Sequence, residues 1–183
     1  MRILVTGAAG LVGTELKSFL TQQRHHVVRL VRGTRSAADE IRWDPVRGVL
    51  DAPELEGLEA VVHLAGENIS TGRWTADKKR RIRESRVRGT RLLSESLARL
   101  FDPPKVLVSV SAVGYYGDRG DEPLDEDSDP GSGFLPDVCR EWEDAAAPAV
   151  MRGIRVVHPR LGMVLSPRGG ALARMLPPFR MGI

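Results

Sequence analysis

The first thirteen residues, Met-Arg-Ile-Leu-Val-Thr-Gly-Ala-Ala-Gly-Leu-Val-Gly, constrain this chain more than any other segment. A buried-strand run, Ile3 to Val5, feeds straight into a loop with glycines at 7, 10 and 13. A helical pattern follows at once, with Leu16, Phe19 and Leu20 apolar and Glu15, Lys17 and Gln22 polar. Strand, glycine-rich turn and helix in immediate succession is the context that makes such a motif a dinucleotide site. Gly7 allows the tight turn, Gly10 lets backbone N–H groups approach a pyrophosphate, and Gly13 lets the helix pack close to the strand. The helix N-terminus, at Leu11 and Val12, supplies partial positive charge for the phosphates.

The rest of the chain continues the same alternation. Strands are expected near 2–6, 26–31, 41–43, 60–64, 105–111 and 154–158, and helices over 11–23, 75–100, 137–151 and 169–176. The runs Ala60-Val-Val-His-Leu and Val106-Leu-Val-Ser-Val are β-branched and nearly continuous, as strands covered on both faces are. Strands alternating with helices imply an α/β fold with a parallel, doubly wound sheet. The link from 44 to 59 is weakly helical and reads as a degenerate crossover.

Composition removes several function classes. A chain of 183 residues is long enough for one domain with a real core. Its single cysteine excludes an internal disulfide framework and fits a reducing, cytoplasmic compartment. No apolar stretch approaches the length of a membrane span. The net charge of +3 does not argue for nucleic acid. The basic block from Lys78 to Arg91 lacks aromatic interleaving and reads as the solvated face of a helix. The acidic block from Asp118 to Asp129, broken by Pro123 and Pro130, reads as a surface loop without calcium-loop spacing. No metal site is expected.

The second strand ends Leu30-Val31-Arg32. An NAD site usually places an acid there to accept from the ribose 2′-OH. Val31 occupies that position and Arg32 follows it. A guanidinium suits a 2′-phosphate through charge-assisted bonds, so NADP(H) is the expected cofactor.

Several segments together resemble the extended short-chain dehydrogenase/reductases, the NAD-dependent epimerase/dehydratase family. They are Thr6-Gly7-Ala8-Ala9-Gly10-Leu11-Val12-Gly13, His63-Leu64-Ala65-Gly66-Glu67-Asn68-Ile69, Ser85-Arg86 with Gly89-Thr90, Ser111-Ala112-Val113-Gly114-Tyr115-Tyr116-Gly117-Asp118, and Val138-Cys139-Arg140-Glu141-Trp142-Glu143. The resemblance covers essentially the whole chain and is nearest to the atypical, epimerase-like branch whose reaction is mostly unassigned. It implies a Rossmann-type doubly wound sheet with helices on both faces. It also implies a cofactor domain over 1–165, with 166–183 beginning a substrate lobe of a longer chain. Leu64, Ala65 and Gly66 would then lie in the switch-point crevice beside the cofactor. Arg86 and Arg81 would border the cofactor from the long helix. Arg160 is a candidate cofactor contact, with a helix-packing salt bridge as its other reading. Pairing of copies through helices 75–100 and 137–151 would give a homodimer.

The catalytic half of the family pattern is altered. The usual Tyr-x-x-x-Lys should fall near 135, where a Lys binds ribose and lowers the Tyr pKa. Aligning Glu143 with the family's helix glutamate puts Leu135 at the Tyr position and Cys139 at the Lys position. Leu has no proton to exchange, and a thiol supplies no fixed cation. Ala112 stands where the catalytic hydroxyl normally does, with Ser111 as its neighbour. Ser111, Tyr115 and Tyr116 are therefore the candidate catalytic residues, with packing as the other role for the tyrosines. Two functions follow: an NADP(H)-dependent oxidoreductase or epimerase-like enzyme with an unusual proton relay and an unassigned small-molecule substrate, or a non-catalytic NADPH-binding sensor.

Overall fold

The computed structural model describes residues 1–50 and 52–182. Asp51, within the 44–59 link, and Ile183, the last residue of the 166–183 segment, lie outside them. The elements in chain order are β1 (Arg2–Thr6), α1 (Leu11–Gln22), β2 (His26–Val31), β3 (Glu40–Asp44), β4 (Val49–Leu50), β5 (Ala60–His63), α2 (Ala76–Ala98), β6 (Val106–Ser109), β7 (Ser111–Ala112), α3 (Phe134–Asp144), α4 (Ala147–Met151), β8 (Arg155–Val157), β9 (Arg160–Leu161) and α5 (Gly170–Arg180).

Seven strands form one sheet in the order β4-β3-β2-β1-β5-β6-β8. All neighbours are parallel except β3 and β4. The order reverses between β1 and β5, which makes the carboxyl ends of these two strands the topological switch point. Side-chain alternation along β1 sends Leu4 to one face and Ile3 and Val5 to the other. Leu4 joins Val28, Leu30, Val61 and Leu107 in a core closed by Leu93 and Leu97 of α2 and Ala149 of α4. Ile3 and Val5 join Val27 and Ala60 against Leu16 and Leu20 of α1. Helices thus cover both faces of the parallel sheet, as the alternating pattern implies.

The structure departs from the sequence reading in four places. The expected helix over 137–151 is two helices, α3 and α4. Pro148 in the first turn of α4 has no N–H to continue the ladder from α3. α3 also starts three residues early, because Pro136 falls in its first turn, where an N–H would have no partner anyway. The expected strand 105–111 breaks at Val110, and Ser111–Ala112 leaves the main sheet to pair with β9. The 44–59 link is the degenerate crossover expected between the parallel strands β3 and β5, but it returns by a strand and not by a weak helix. Trp43 and Asp44 pair antiparallel with Leu50 and Val49, and a 3-10 turn at Ala52–Leu55 leads back to β5. Helix α5 runs past 176 to Arg180, through Pro177 and Pro178.

Among the described residues, no helix is long and apolar enough to cross a membrane, and no cluster of three or more potential metal ligands occurs.

Candidate cofactor cleft and its catalytic edge

The glycine loop builds one wall of a cleft of about 840 Å³ at the switch point. Gly7 has φ +68°, and a Cβ there would sit 2.9 Å from the Leu64 carbonyl. Conformation and close approach both demand glycine. At Gly13 a Cβ would lie 2.2 Å from the Gly7 oxygen, so α1 packs onto the loop only without a side chain. Gly10 caps α1 with no side-chain hydrogen bond. The first N–H groups of the helix are thus left for a ligand.

Gly7, Gly10, Val31, Arg32, Leu64, Ala65 and Gly66 come together in this cleft. Thr14, Lys17, Arg29, Trp43, Pro45 and Ser85 line it too, and sequence reasoning missed them. Lys17 is one of the polar residues of the α1 pattern, and only the tertiary approach of β2 shows that it faces the cleft mouth. Among the described lining residues there are three cationic side chains, Lys17, Arg29 and Arg32, and no carboxylate. Arg29 is itself paired, with Asp39 at 3.0 Å and Glu40 at 3.1 Å.

The floor is tied together by Thr6 and His63. Thr6 Oγ1 accepts from the N–H groups of Leu64 and Ala65, each at 3.1 Å. Its own proton therefore goes to His63 Nδ1, 2.7 Å away. Nδ1 accepts, so Nε2 carries the ring proton and donates to Thr90 Oγ1 at 3.0 Å. Burial pushes the His63 pKa down to about 4, in keeping with a neutral ring. This hidden chain joins β1, β5 and α2 and sets the path of Leu64–Gly66.

The loop after Gly66 is held by Lys78. The sequence reading places Lys78 on a solvated face, and the structure corrects this. The side chain is 5% exposed. Its Nζ donates to Glu67 Oε1 at 2.7 Å, the Asn68 carbonyl at 2.6 Å and Thr71 Oγ1 at 3.2 Å. The hydrogen bond and charge of Lys78, with Arg81 and Arg32, hold the Glu67 carboxyl below its ordinary range despite burial. The rest of the basic block is largely exposed and paired along or between helices, as in Arg80–Asp77, Arg88–Glu84 and Arg83–Glu141.

The other cofactor candidates are placed as follows. The side chains of Leu11 and Val12 point to a separate apolar groove with Leu16, Phe19, Val164 and Leu165, so only their backbone faces the glycine loop. Arg81 is mostly exposed, 3.8 Å from Glu67. Arg86 packs beneath the cleft floor at Gly66. Arg160 does not line the cleft. Its Nε and Nη2 donate to Glu143 at 3.0 Å each, and its Nη1 donates to Tyr116 Oη at 2.8 Å. The same guanidinium stacks 3.5 Å from the Tyr115 ring centroid. The salt-bridge reading of Arg160 is the one the geometry carries, because β7–β9 pairing turns its side chain toward α3.

Ser111, Tyr115 and Tyr116 form the edge beyond β6. Ser111 is 2% exposed, and its Oγ makes no hydrogen bond of normal geometry. It stands beside the Cys139 thiol and the Glu143 carboxylate and favours the charged form of each. Burial raises the Cys139 thiol above its ordinary range, and Glu143 adds to that. Burial alone would raise Glu143 too, but Arg160, Ser111 and His158 together hold it low. Leu135 and Cys139 both face Gly114, where an added Cβ would lie 3.6 Å from Leu135 Cβ and 3.9 Å from Cys139 Sγ. An aliphatic group and a protonated thiol thus back the turn that carries Tyr115 and Tyr116.

Comparison with known proteins fits this geometry. The sequence profile of the NAD dependent epimerase/dehydratase family matches residues 3–180. An epimerase family protein of Mycobacterium bovis is 40% identical over 99% of this chain, which covers 60% of that protein. The human epimerase family protein SDR39U1, solved with NADPH, superposes with a TM-score of 0.84. It is 34% identical over the whole of this chain, which covers 60% of it. A nucleoside-diphosphate sugar epimerase structure from Corynebacterium glutamicum superposes with a TM-score of 0.85 at 40% identity, over 98% of this chain and 37% of that one. The chain thus spans about 60% of the length of the M. bovis and human proteins.

Proposed function

Because the chain belongs to the NAD dependent epimerase/dehydratase family, we propose that it is an NADP(H)-binding, oxidoreductase or epimerase-like enzyme acting on a small-molecule substrate. The observation that carries the cofactor choice is the charge of the cleft: Lys17 and Arg32 line it without a carboxylate, while Arg29 is paired with Asp39 and Glu40. An acid that would accept from a ribose 2′-OH is missing, and a 2′-phosphate would be neutralised there. The NADPH bound to the human relative supports the same choice.

In this reading the N–H groups of Leu11 and Val12 hold the pyrophosphate, Gly10 closes the turn by donating its N–H to the Gly7 carbonyl at 2.9 Å, and Gly7 and Gly13 keep the ligand close. Val31 and Arg32 take the adenosine end, and Leu64, Ala65 and Gly66 lie along the ribose. Arg81 and Arg86 border it from α2. The nicotinamide, when bound, supplies hydride chemistry, and the protein supplies orientation and a proton source. Ser111, Tyr115 and Tyr116 are the residues proposed for the proton. Arg160 donates to Tyr116 Oη, which leaves the phenol proton free to be given elsewhere. Residues 1–165 form the cofactor domain, and 166–183 lead into a substrate lobe. A cytoplasmic location fits the single free cysteine.

Titrating the full-length protein with NADPH and NADH tests the cofactor. Tighter NADPH binding by about tenfold or more is expected, with the gap narrowed in Arg32→Ala. Equal affinity, or tighter NADH, ends the claim.

A second reading is a non-catalytic NADPH sensor, and Leu135 and Cys139 facing Gly114 favour it. Turnover on a panel of carbonyl and sugar-nucleotide substrates, lost in Ser111→Ala or Tyr116→Phe, removes the sensor. Tight NADPH binding without turnover removes the enzyme.

A further inference from the structure

The segment from Met163 to Arg180 touches both walls of the cleft and is buried by neither. It follows β9 through Gly162, turns tightly where Ser166 bridges Gly169, and enters α5. At the base of α5 the backbone packs on Leu11. A Cβ on Gly169 would lie 3.4 Å from Leu11 Cδ1, and one on Gly170 3.5 Å from Leu11 Cδ2. Gly170 has φ +73°, a left-handed turn that sets the direction in which α5 leaves. Arg168 pairs with Glu15, one turn further along α1, at 2.6 Å. One turn into α5, Arg174 Nη1 donates to the Ser70 carbonyl at 2.9 Å, across 104 residues of sequence. Leu11 opens α1 beside the glycine loop, and Ser70 lies in the loop that follows Leu64–Gly66. The segment therefore ties the α1 wall to the β5 wall.

The two sides of this span differ in firmness. The Ser70 loop is fixed. Lys78 Nζ holds Glu67, Asn68 and Thr71, Ser85 Oγ accepts from the Glu67 N–H at 2.9 Å, and the Ser70 N–H donates to Asn68 Oδ1 at 2.8 Å. Helix α5 is not fixed in this way. It has no buried residue, and Met163, Leu165, Met175 and Phe179 are 60–79% exposed. Its ties to the walls are one exposed ion pair, one exposed hydrogen bond and the Leu11 contact. An element with few buried apolar contacts and solvent-facing polar ties is the first to open.

We infer that the segment 163–180 is a strap across the cofactor cleft, hinged at Gly169–Gly170 and fastened by Arg174 on the Ser70 carbonyl, which opens to admit a dinucleotide and refastens behind it. The inference rests on the NADP(H) reading above. In that reading the pyrophosphate sits at the N–H groups of Leu11 and Val12 and the ribose along Leu64–Gly66, so the ligand passes between the two places that the strap joins. The strap adds a step that governs how fast the cofactor leaves.

The test measures NADPH release from the full-length protein by stopped-flow fluorescence, with excess NADP+ displacing the bound NADPH. Arg174→Ala removes the fastening, Arg168→Ala cuts the tie to α1, and Arg180→Ala alters the far end of the same helix. Arg174→Ala is expected to speed release about five- to tenfold. Arg168→Ala should speed it by a smaller factor, and Arg180→Ala should match the wild type. In the wild type NADPH should also slow amide exchange over residues 170–180. That protection should disappear in Arg174→Ala while protection over residues 7–16 remains. Release at the wild-type rate in both Arg174→Ala and Arg168→Ala overturns the strap while the cofactor reading stands. So does a wild type in which NADPH gives no protection over 170–180, or an Arg180→Ala that releases NADPH as fast as Arg174→Ala. A wild type that binds no NADPH overturns the cofactor reading itself.

Discussion

Thr6 and His63, 57 residues apart in sequence, share a 2.7 Å hydrogen bond beneath the cofactor cleft. The histidine is fully buried and neutral, its pKa pushed down to about 4. In the unfolded chain it titrates near 6.5. A folded pKa below the unfolded one means that the unfolded state binds the extra proton. Stability from this group is complete above about pH 6.5 and is lost as pH falls from there toward 4. The loss should approach about 3 kcal/mol by pH 4. Carboxylates such as Glu67 and Glu143, held below an ordinary value of 4.5, destabilise only at lower pH. Urea unfolding at pH 7.5 and 5.0 checks this. His63→Gln should flatten the difference, and an unchanged slope in the variant would refute the assignment.

Gly13→Ala should be among the most damaging single-methyl changes in the chain. The new carbon would lie 2.2 Å from the Gly7 oxygen and 2.8 Å from Ala8 Cα, both backbone. Moving α1 off the loop should cost about 1–3 kcal/mol and open the glycine turn proposed to hold the pyrophosphate. Gly10→Ala, with its nearest contact at 3.2 Å, should be milder. NADPH affinity and the urea midpoint of the two variants give the comparison; equal effects would contradict it.

Lys78→Met tests the buried ammonium. The substitution leaves Glu67 Oε1, the Asn68 carbonyl and Thr71 Oγ1 without their shared donor. A loss of about 2–3 kcal/mol is expected, together with faster amide exchange over 67–74. Neighbouring Arg80→Met, in an exposed pair, should cost under about 0.5 kcal/mol. If both cost the same, Lys78 is only another surface charge.

Arg160 and Glu143 are 17% and 14% exposed, so removing either leaves the other charge half-desolvated. Glu143→Gln and Arg160→Met should each destabilise by about 2 kcal/mol. The double variant should fall short of their sum by more than about 1 kcal/mol. Additive losses would show that the bridge contributes nothing of its own.

The periodic and glycine-bearing parts of the chain are legible in its sequence. Gly7 and Gly13 announce the turn because no other residue fits a φ of +68° or a 2.2 Å approach, and that demand is local. β1, β2, β5 and α1 announce themselves for the same reason: a strand's or helix's hydrophobic period is written in consecutive residues. The break between α3 and α4 and the departure of Ser111 from the main sheet were not legible. Each depends on a distant partner: α4 on its packing against α2, β7 on β9.

The candidate site divides along the same line. Sequence alone determined the glycine-rich loop, the switch-point segment Leu64–Gly66 and the absence of an acid after β2, since each lies in one short stretch. Tertiary structure alone decided which cations of the basic helix are buried. Lys78, Arg86 and Arg88 look alike in a row of charges. Lys78 is enclosed by the Glu67–Thr71 loop, Arg86 by Gly66 and Trp142, and Arg88 by nothing more than an exposed pair with Glu84. It also decided that Arg160 meets Glu143 and not the cleft. A charge's role is set by what surrounds it, and those surroundings come from parts of the chain that only folding brings near.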